Sequence, residues 1–125
     1  MNTTDKRMVI YVAGPYRGKT TNDVLHNIER ARAVAEEIWR RGHIAICPHI
    51  NTAFMGGVCP DEDFLSGDLE ILDRCDAICM VNGWTSSEGA THELKAAEAN
   101  PDINIYFEAT GGVPLFQQPT GDGTD

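Results

Sequence analysis

The segment MVIYVA, Met8–Ala13, is followed directly by Gly14-Pro15, and it decides how the rest of the sequence is interpreted. A short apolar run that is rich in β-branched and aromatic residues and ends at glycine and proline is typical of a buried strand. Strands without polar alternation occur in parallel sheets that are covered by helices on both faces. The segment therefore predicts the first central strand of an α/β protein.

Helical and strand patterns alternate through the rest of the sequence. The first helix is predicted with Thr21 or Asn22 as its cap and Gly42 as its stop. The elements predicted after the first strand are, in order, a helix over Val24–Trp39, a strand over His43–Cys47, a helix over Asp61–Asp73, a strand over Ala77–Val81, a helix capped near Ser87 and a strand over Ile103–Phe107. This alternation predicts a doubly wound, mainly parallel sheet of the Rossmann or flavodoxin type, in three layers with strand order 2-1-3-4, because parallel strands need right-handed crossovers.

Length and composition indicate one globular domain. The chain has 125 residues, of which 42% are apolar and 23% are charged, enough for a single hydrophobic core. Residues 1–109 are predicted to form the domain, and residues 110–125, dense in Gly, Pro, Thr and Gln, a mobile C-terminal tail. No apolar run approaches the roughly 20 residues that a membrane span needs, so we expect a cytoplasmic protein with no membrane partner.

The charge balance argues against a nucleic-acid polymer as partner. Ten Lys and Arg against nineteen Asp and Glu give a net charge of −9, which repels a polyanion. A small phosphorylated ligand remains compatible, because local cations and backbone N–H groups can bind it. The four cysteines contain no C-x-x-C pair, so the sequence indicates neither a zinc site nor a disulfide framework.

The predicted strand order brings two loops together. The winding of the sheet reverses between the first and third strands, and ligands of open α/β sheets bind outside the carboxyl ends of strands at such a point. The segments that leave these strands are Gly14–Lys19 and Asn82–Gly89. His49 follows the second strand at the same edge, where it is a candidate substrate contact or a hydrogen-bonded loop histidine. We expect a ligand crevice between these segments.

The first loop also allows a different interpretation. Ala13–Thr20, AGPYRGKT, fits a relaxed phosphate-loop pattern in which Lys19 would reach the phosphates and Thr20 would hold magnesium. The pattern is short, and the strand Ala77–Val81 runs into Asn82 rather than into the acidic residue that a phosphate-loop enzyme places there. Chemistry on a nucleoside triphosphate is therefore the alternative hypothesis.

Three longer motifs cover more of the chain. They are Ile10–Pro15 (IYVAGP), Gly67–Glu70 (GDLE) ahead of Cys75–Ile78 (CDAI), and Ser87–Leu94 (SEGATHEL). Together they resemble the nucleoside 2-deoxyribosyltransferase superfamily, from the first strand to the last helix. That superfamily also includes deoxynucleoside 5′-monophosphate N-glycosidases, CMP hydrolases and many small bacterial and phage-type proteins of unknown activity, to which this chain looks most similar.

The resemblance implies three catalytic residues. It places the nucleophile on Glu93, an assisting carboxylate on Asp68 and an orienting hydroxyl on Tyr11. Such a set makes chemical sense, because departure of a nucleobase builds positive charge on C1′ that a carboxylate can stabilise and trap. The alternatives are a solvated helix carboxylate at Glu93, a capping or exposed charge at Asp68 and a core aromatic at Tyr11.

The same resemblance predicts the kind of substrate. Ser87 stands six residues before the nucleophile, where the transferase branch has an Asp suited to a free 5′-hydroxyl. A Ser and the N–H groups of a helix N-terminus accept a phosphate, so hydrolysis of a nucleoside 5′-monophosphate is favoured over base exchange. The residues predicted to bind substrate are Gly14, Pro15, Arg17, Lys19, His49, Ser87 and Gly89.

We expect no metal and no cofactor, because the sequence shows no set of spaced metal ligands and glycosidic cleavage needs no metal. The resemblance implies at least a homodimer, because relatives complete each active site with a neighbouring subunit. Three functions are therefore distinguished. The first is N-glycosidic bond cleavage on a nucleotide or nucleoside, and the second is phosphate-loop chemistry. The third is a non-catalytic nucleotide-binding or interaction module, since a fold does not determine a function.

Overall fold

The structure, a computed structural model, describes residues 7–53 and 55–108. Its elements are β1 (Val9–Ala13), α1 (Thr21–Arg40), β2 (Ile44–Ile46), α2 (Pro48–Asn51), α3 (Asp61–Asp73), β3 (Ala77–Met80), a 3₁₀ turn (Trp84–Ser86), α4 (Glu88–Glu98) and β4 (Asn104–Phe107). The tail predicted to be mobile, residues 110–125, lies outside the described residues. In the described ranges, no helix is long and apolar enough to cross a membrane.

The strands form one parallel sheet. Their order is β2-β1-β3-β4, and all three pairings are parallel, so the predicted topology is confirmed. Tyr11 in β1 is paired with Ile46 on one side and Ile78 on the other. The central strand that the sequence indicated is therefore flanked on both sides, and its carboxyl end lies at the reversal of the winding.

Two separate cores cover the two faces of the sheet, which confirms the three-layer arrangement. Successive side chains of a strand point to opposite faces. Ile10 and Val12 pack on the α1 side, whereas Tyr11 and Ala13 pack on the side of α3 and α4. Tyr11 therefore faces the two helices that carry the other predicted catalytic residues.

Local structure differs from the sequence prediction around α1 and α2. The cap of α1 is Thr20, not Thr21 or Asn22, because Thr20 and Asp23 form a reciprocal capping box. The segment after β2, expected to be a loop, begins with the short helix α2, for which Pro48 supplies a favourable first residue. Both differences reflect hydrogen bonds within one turn, which apolar periodicity does not register.

Gly14 allows β1 to end in close contact with β3, and this predicts a large effect of a small substitution. A Cβ added at Gly14 would lie 2.7 Å from Val81 Cβ, in the buried core. We expect Gly14→Ala to lower the free energy of unfolding by about 1–3 kcal/mol, as overpacking of a core does.

Gly89→Ala is the matched control. At Gly89, in the first turn of α4, a Cβ would meet only Ser87 Oγ, at 3.9 Å. This substitution is expected to leave stability unchanged or to raise it by up to about 1 kcal/mol, because alanine is the better helix former. Urea unfolding of the two variants measures the difference, and equal stabilities would contradict the close contact.

Candidate active site

The predicted nucleophile is hydrogen-bonded to the central strand. The hydroxyl of Tyr11, which is fully buried in β1, donates to Glu93 Oε2 on α4. Burial and the nearby carboxylates of Glu93 and Asp68 raise the pKa of Tyr11, so the hydroxyl remains a hydrogen-bond donor. Glu93 is therefore held by a neutral donor and is not a freely solvated helix carboxylate.

Asp68 on α3 lies close enough to influence both of these groups. Burial raises the pKa of Asp68 to about 6. Burial also raises the pKa of Glu93 to about 7, the Tyr11 hydrogen bond opposes this rise, and the charge of Asp68 adds to it. Two carboxyl groups that influence each other and have pKa values near neutrality can supply one anion and one proton donor.

The predicted catalytic triad consists of Tyr11, Asp68 and Glu93. They come from β1, α3 and α4, and the fold brings them together across long stretches of sequence. Two shallow depressions, one at the end of α3 beside Arg74 and one beside His92 on α4, are not lined by these three residues. The predicted catalytic triad therefore lies on the face of the sheet that α3 and α4 cover, beside the middle of β1.

The loop after β1, residues 14–20, is tied to α1 and α2 through its backbone. His49 on α2 is only 9% exposed, and its Nε2 lies 2.7 Å from the carbonyl oxygen of Pro15, to which it donates in the neutral tautomer. Burial lowers the pKa of His49, so the ring is neutral at physiological pH. The rings of His49 and Tyr16 also pack in a T-shaped arrangement, with 5.2 Å between their centroids. His49 lies beneath the loop, whose shape it supports.

The end of this loop differs from a phosphate-binding loop. Asp23 Oδ2 accepts hydrogen bonds from the backbone N–H groups of Lys19 (3.1 Å) and Thr20 (3.2 Å). A Cβ on Gly18 would lie 2.2 Å from Asp23 Cβ, so the loop closes tightly over this carboxylate. The N–H groups that would cradle a phosphate therefore bind a carboxylate of the chain itself, which disfavours the phosphate-loop hypothesis.

The two loop cations are both exposed at the surface. Arg17 forms an ion pair with Asp61 at the start of α3, with 3.0 Å between Nη2 and Oδ2. Exposed pairs of this kind contribute little to stability, so a ligand anion can replace Asp61 at small cost. Lys19 is exposed in the same loop. The structure places Arg17 beside α3, the helix that also carries Asp68.

The predicted phosphate contacts lie at the start of α4. Ser87 is the N-cap, and its Oγ accepts a hydrogen bond of 3.1 Å from the Ala90 N–H. The hydroxyl proton of Ser87 is not used in that bond, and Gly89 follows in the first turn. Ser87 and Gly89 thus share a helix with Glu93.

Sequence reasoning missed two residues at this site. Asn27 on α1 donates to two carbonyls of the first loop, and Asp61 pairs with Arg17. The only available signal was a polar Asn between the apolar residues Val24 and Ile28 of an amphipathic helix. Neither partner could be identified without the fold.

Comparison with known protein families shows the family to which the chain belongs. A family model described as a domain of unknown function, DUF4406, matches residues 8–105. The chain belongs to the DUF4406 family. The match runs from β1 into β4, so it includes every residue of the predicted catalytic triad. No curated protein matches the sequence.

Among solved structures, this DUF4406 protein is similar to the 2-deoxyribosyltransferase of the psychrotolerant bacterium Bacillus psychrosaccharolyticus. The TM-score is 0.55 at 17% identity, and the similarity covers 84% of this chain and 76% of that one. Agreement at this level of identity concerns the fold, which both chains share. The DUF4406 protein therefore has the doubly wound α/β fold that its sequence predicts.

Proposed function

We propose that this DUF4406 protein hydrolyses the N-glycosidic bond of a nucleoside 5′-monophosphate or nucleoside, with Glu93 as nucleophile. The observation that supports this most is the hydrogen bond from the buried Tyr11 hydroxyl to Glu93, beside the second carboxyl of Asp68. This arrangement supplies a positioned anion, a donor that orients it and a group that can transfer a proton.

The proposed reaction has two steps. In the first, a Glu93 oxygen forms a bond to C1′ as the N-glycosidic bond breaks, and the base leaves with the bonding electrons and takes a proton from protonated Asp68. In the second, water attacks C1′ and loses a proton to Asp68, and the Glu93 carboxylate is released. The chemistry parallels that of retaining glycosidases and requires no metal or cofactor.

Tyr11 acts on the first step by holding one Glu93 oxygen. Its hydroxyl stays protonated, so it stabilises the ionised form of Glu93 that attacks. The second oxygen of the carboxylate is then the one available for C1′. The reactive form has Glu93 ionised and the proton on Asp68. Because the pKa of Glu93, about 7, lies above that of Asp68, about 6, this is the minor of the two singly protonated forms, and it reacts because only it combines an anionic nucleophile with a proton donor.

The proposed substrate carries a 5′-phosphate near Ser87 and Arg17. Support comes from the Ser87 hydroxyl, the N–H groups of Glu88 and Gly89 at the start of α4, and the exposed guanidinium of Arg17. The loop after β1 also contains Gly14, Pro15 and Lys19, which are proposed to contact the substrate. Ser87-Glu88-Gly89 resembles the monophosphate-hydrolysing branch of the superfamily, and this resemblance supports hydrolysis over base exchange.

A homodimer or higher homo-oligomer belongs to the same proposal. Large apolar side chains are exposed on and between α2 and α3, namely Ile50, Met55, Val58 and Leu65. Leu65 lies one turn before Asp68, so a second subunit on this surface would border the catalytic triad. Light scattering coupled to gel filtration measures the assembly state.

Base release tests the proposed function directly. The protein is incubated with nucleosides and their 5′-monophosphates, with and without magnesium, and free base is measured by chromatography. We expect release without magnesium and a higher kcat/KM for the monophosphate. Release that strictly requires magnesium, or hydrolysis of nucleoside triphosphates instead, would contradict the proposal and favour phosphate-loop chemistry.

Arg17→Ala locates the phosphate. It is expected to raise KM for the monophosphate about 10-fold or more and to leave KM for the nucleoside unchanged. Only the monophosphate has a phosphate group with which Arg17 can form a charged hydrogen bond. Arg32→Ala, at an exposed ion-paired arginine of α1, is the matched control. Equal effects of Arg17→Ala on both substrates would place the phosphate elsewhere.

A further inference from the structure

The backbone carbonyls of the loop after β1 are held by one side chain of α1. Asn27 Nδ2 donates to the carbonyl oxygen of Tyr16 at 3.1 Å and to that of Arg17 at 3.2 Å. His49 holds the preceding carbonyl, that of Pro15. Three successive carbonyls are therefore directed toward helices that pack beside the loop.

This arrangement fixes the direction of the N–H groups on the other side of the same peptides. In a trans peptide the C=O and the N–H point in opposite directions. With the carbonyls of Tyr16 and Arg17 turned toward Asn27, the N–H groups of Arg17 and Gly18 point away from α1. Within residues 7–53 and 55–108, neither N–H has a hydrogen-bond partner.

Asn27 lies at a position in α1 that is unfavourable for its residue type. Asparagine is a poor helix former, since its side chain competes for backbone hydrogen bonds, and Asn27 lies well inside the helix Thr21–Arg40. Its two donated hydrogen bonds both go to the loop. The residue therefore serves the loop and not the helix.

We propose that Asn27 is a positioning residue of the substrate site, which orients the loop so that the N–H groups of Arg17 and Gly18 bind oxygen atoms of the substrate. The proposal rests on the proposed function. The group that these N–H groups bind is an anionic or oxygen-rich part of a nucleotide. Asn27 does not touch the substrate. It acts by holding two peptide planes in the orientation that binding needs.

Asn27→Asp tests the proposal with almost no change in shape. An ionised Asp has no N–H donor and repels the two carbonyls that Asn27 binds. We expect KM for the nucleoside monophosphate to rise about 10- to 100-fold with little change in kcat, because binding is lost equally in the ground state and the transition state. The titration of Glu93 should stay unchanged, since the catalytic triad lies on the other face of the sheet.

Asn22→Asp is the matched control, because Asn22 is exposed near the start of the same helix and makes no comparable bond. It is expected to leave KM unchanged. Hydrogen exchange of the free proteins is a second measurement: peptides covering residues 14–19 should exchange faster in Asn27→Asp than in Asn22→Asp. If Asn27→Asp unfolds, Asn27→Ser, which keeps one donor on a shorter side chain, replaces it in both measurements and is expected to raise KM in the same direction.

The outcomes separate this proposal from the proposed function. If the protein releases no base but binds a nucleoside monophosphate in calorimetry, and Asn27→Asp weakens that binding, the enzyme assignment fails and the role of Asn27 stands. If base release is robust and Asn27→Asp has normal KM and normal loop exchange, the role of Asn27 is overturned. A parallel loss of kcat and melting temperature without a rise in KM also overturns it.

Discussion

Glu93→Gln is expected to lower kcat/KM for base release by about 10³-fold or more, because the swap keeps the shape of the side chain and removes the anion that attacks C1′. The Gln oxygen can still accept the hydrogen bond from Tyr11, so the position of the side chain is retained. The loss therefore reports the charge and not the packing. Single-turnover measurements of base release with saturating substrate give the effect on the chemical step.

The same substitution is expected to stabilise the protein above neutral pH. The folded-state pKa of Glu93, about 7, is raised above its ordinary value, so its contribution to stability is full below about pH 4.5 and is lost as pH rises through 7. Because Gln has no ionisable group, the stability of Glu93→Gln does not fall in this way as pH rises. The melting temperature of the variant should match that of the parent at pH 4 and exceed it at pH 8. The corresponding difference in the free energy of unfolding at pH 8 is on the order of a few kcal/mol.

Glu98→Gln is the control for both measurements, since Glu98 is exposed at the end of the same helix. It should change neither base release nor the pH dependence of the melting temperature. Turnover at the parental rate in Glu93→Gln would eliminate Glu93 as nucleophile. A stability difference between Glu93→Gln and its parent that does not vary with pH would mean that Glu93 is not titrating near neutrality in the fold.

Asp68→Asn and Tyr11→Phe are expected to move the pKa of Glu93 in opposite directions. The charge of Asp68 raises that pKa and the Tyr11 hydrogen bond lowers it, so Asp68→Asn should lower it from about 7 and Tyr11→Phe should raise it. Carboxyl carbon NMR of labelled protein follows the titration of Glu93 itself. Kinetic pH profiles would instead report values that belong to the coupled pair.

Asp68→Asn should also slow base release by about 10²-fold, the usual contribution of a proton-transfer group. Glu62→Gln, at an exposed carboxylate of the same helix, is the control and should leave both quantities unchanged. Shifts of the Glu93 pKa in the same direction for Asp68→Asn and Tyr11→Phe would contradict the described geometry. Parental rates at every pH in Asp68→Asn would assign Asp68 a structural role.

The sequence could predict the parts of this protein that depend on periodicity and order. The apolar run Met8–Ala13, the helix Asp61–Asp73 and the alternation of elements were sufficient for the fold class and the strand order, because burial against a sheet imposes a regular spacing. The motifs around Tyr11, Asp68 and Glu93 were sufficient to name the catalytic triad as a hypothesis. Their roles in catalysis stay predictions.

Other features depend on hydrogen bonds that sequence spacing does not encode. The short helix α2, the cap at Thr20 and the partners of Asn27 were not predicted, because each is determined by a few polar contacts whose partners are chosen by the fold. The phosphate-loop pattern could not be rejected on its residues alone. It was disfavoured only when Asp23 was found bound to the N–H groups of Lys19 and Thr20.

The sequence by itself determined that this chain forms a parallel α/β sheet, since the fold class follows from the spacing of apolar residues and the order of the elements. The candidate carboxylates Asp68 and Glu93 were named by the resemblance of short motifs to a known superfamily. Only the tertiary structure decided that Glu93 and Asp68 have pKa values near neutrality and that Tyr11 donates to Glu93. A pKa depends on burial and on charges a few ångströms away. Those distances exist only after β1, α3 and α4 have packed together.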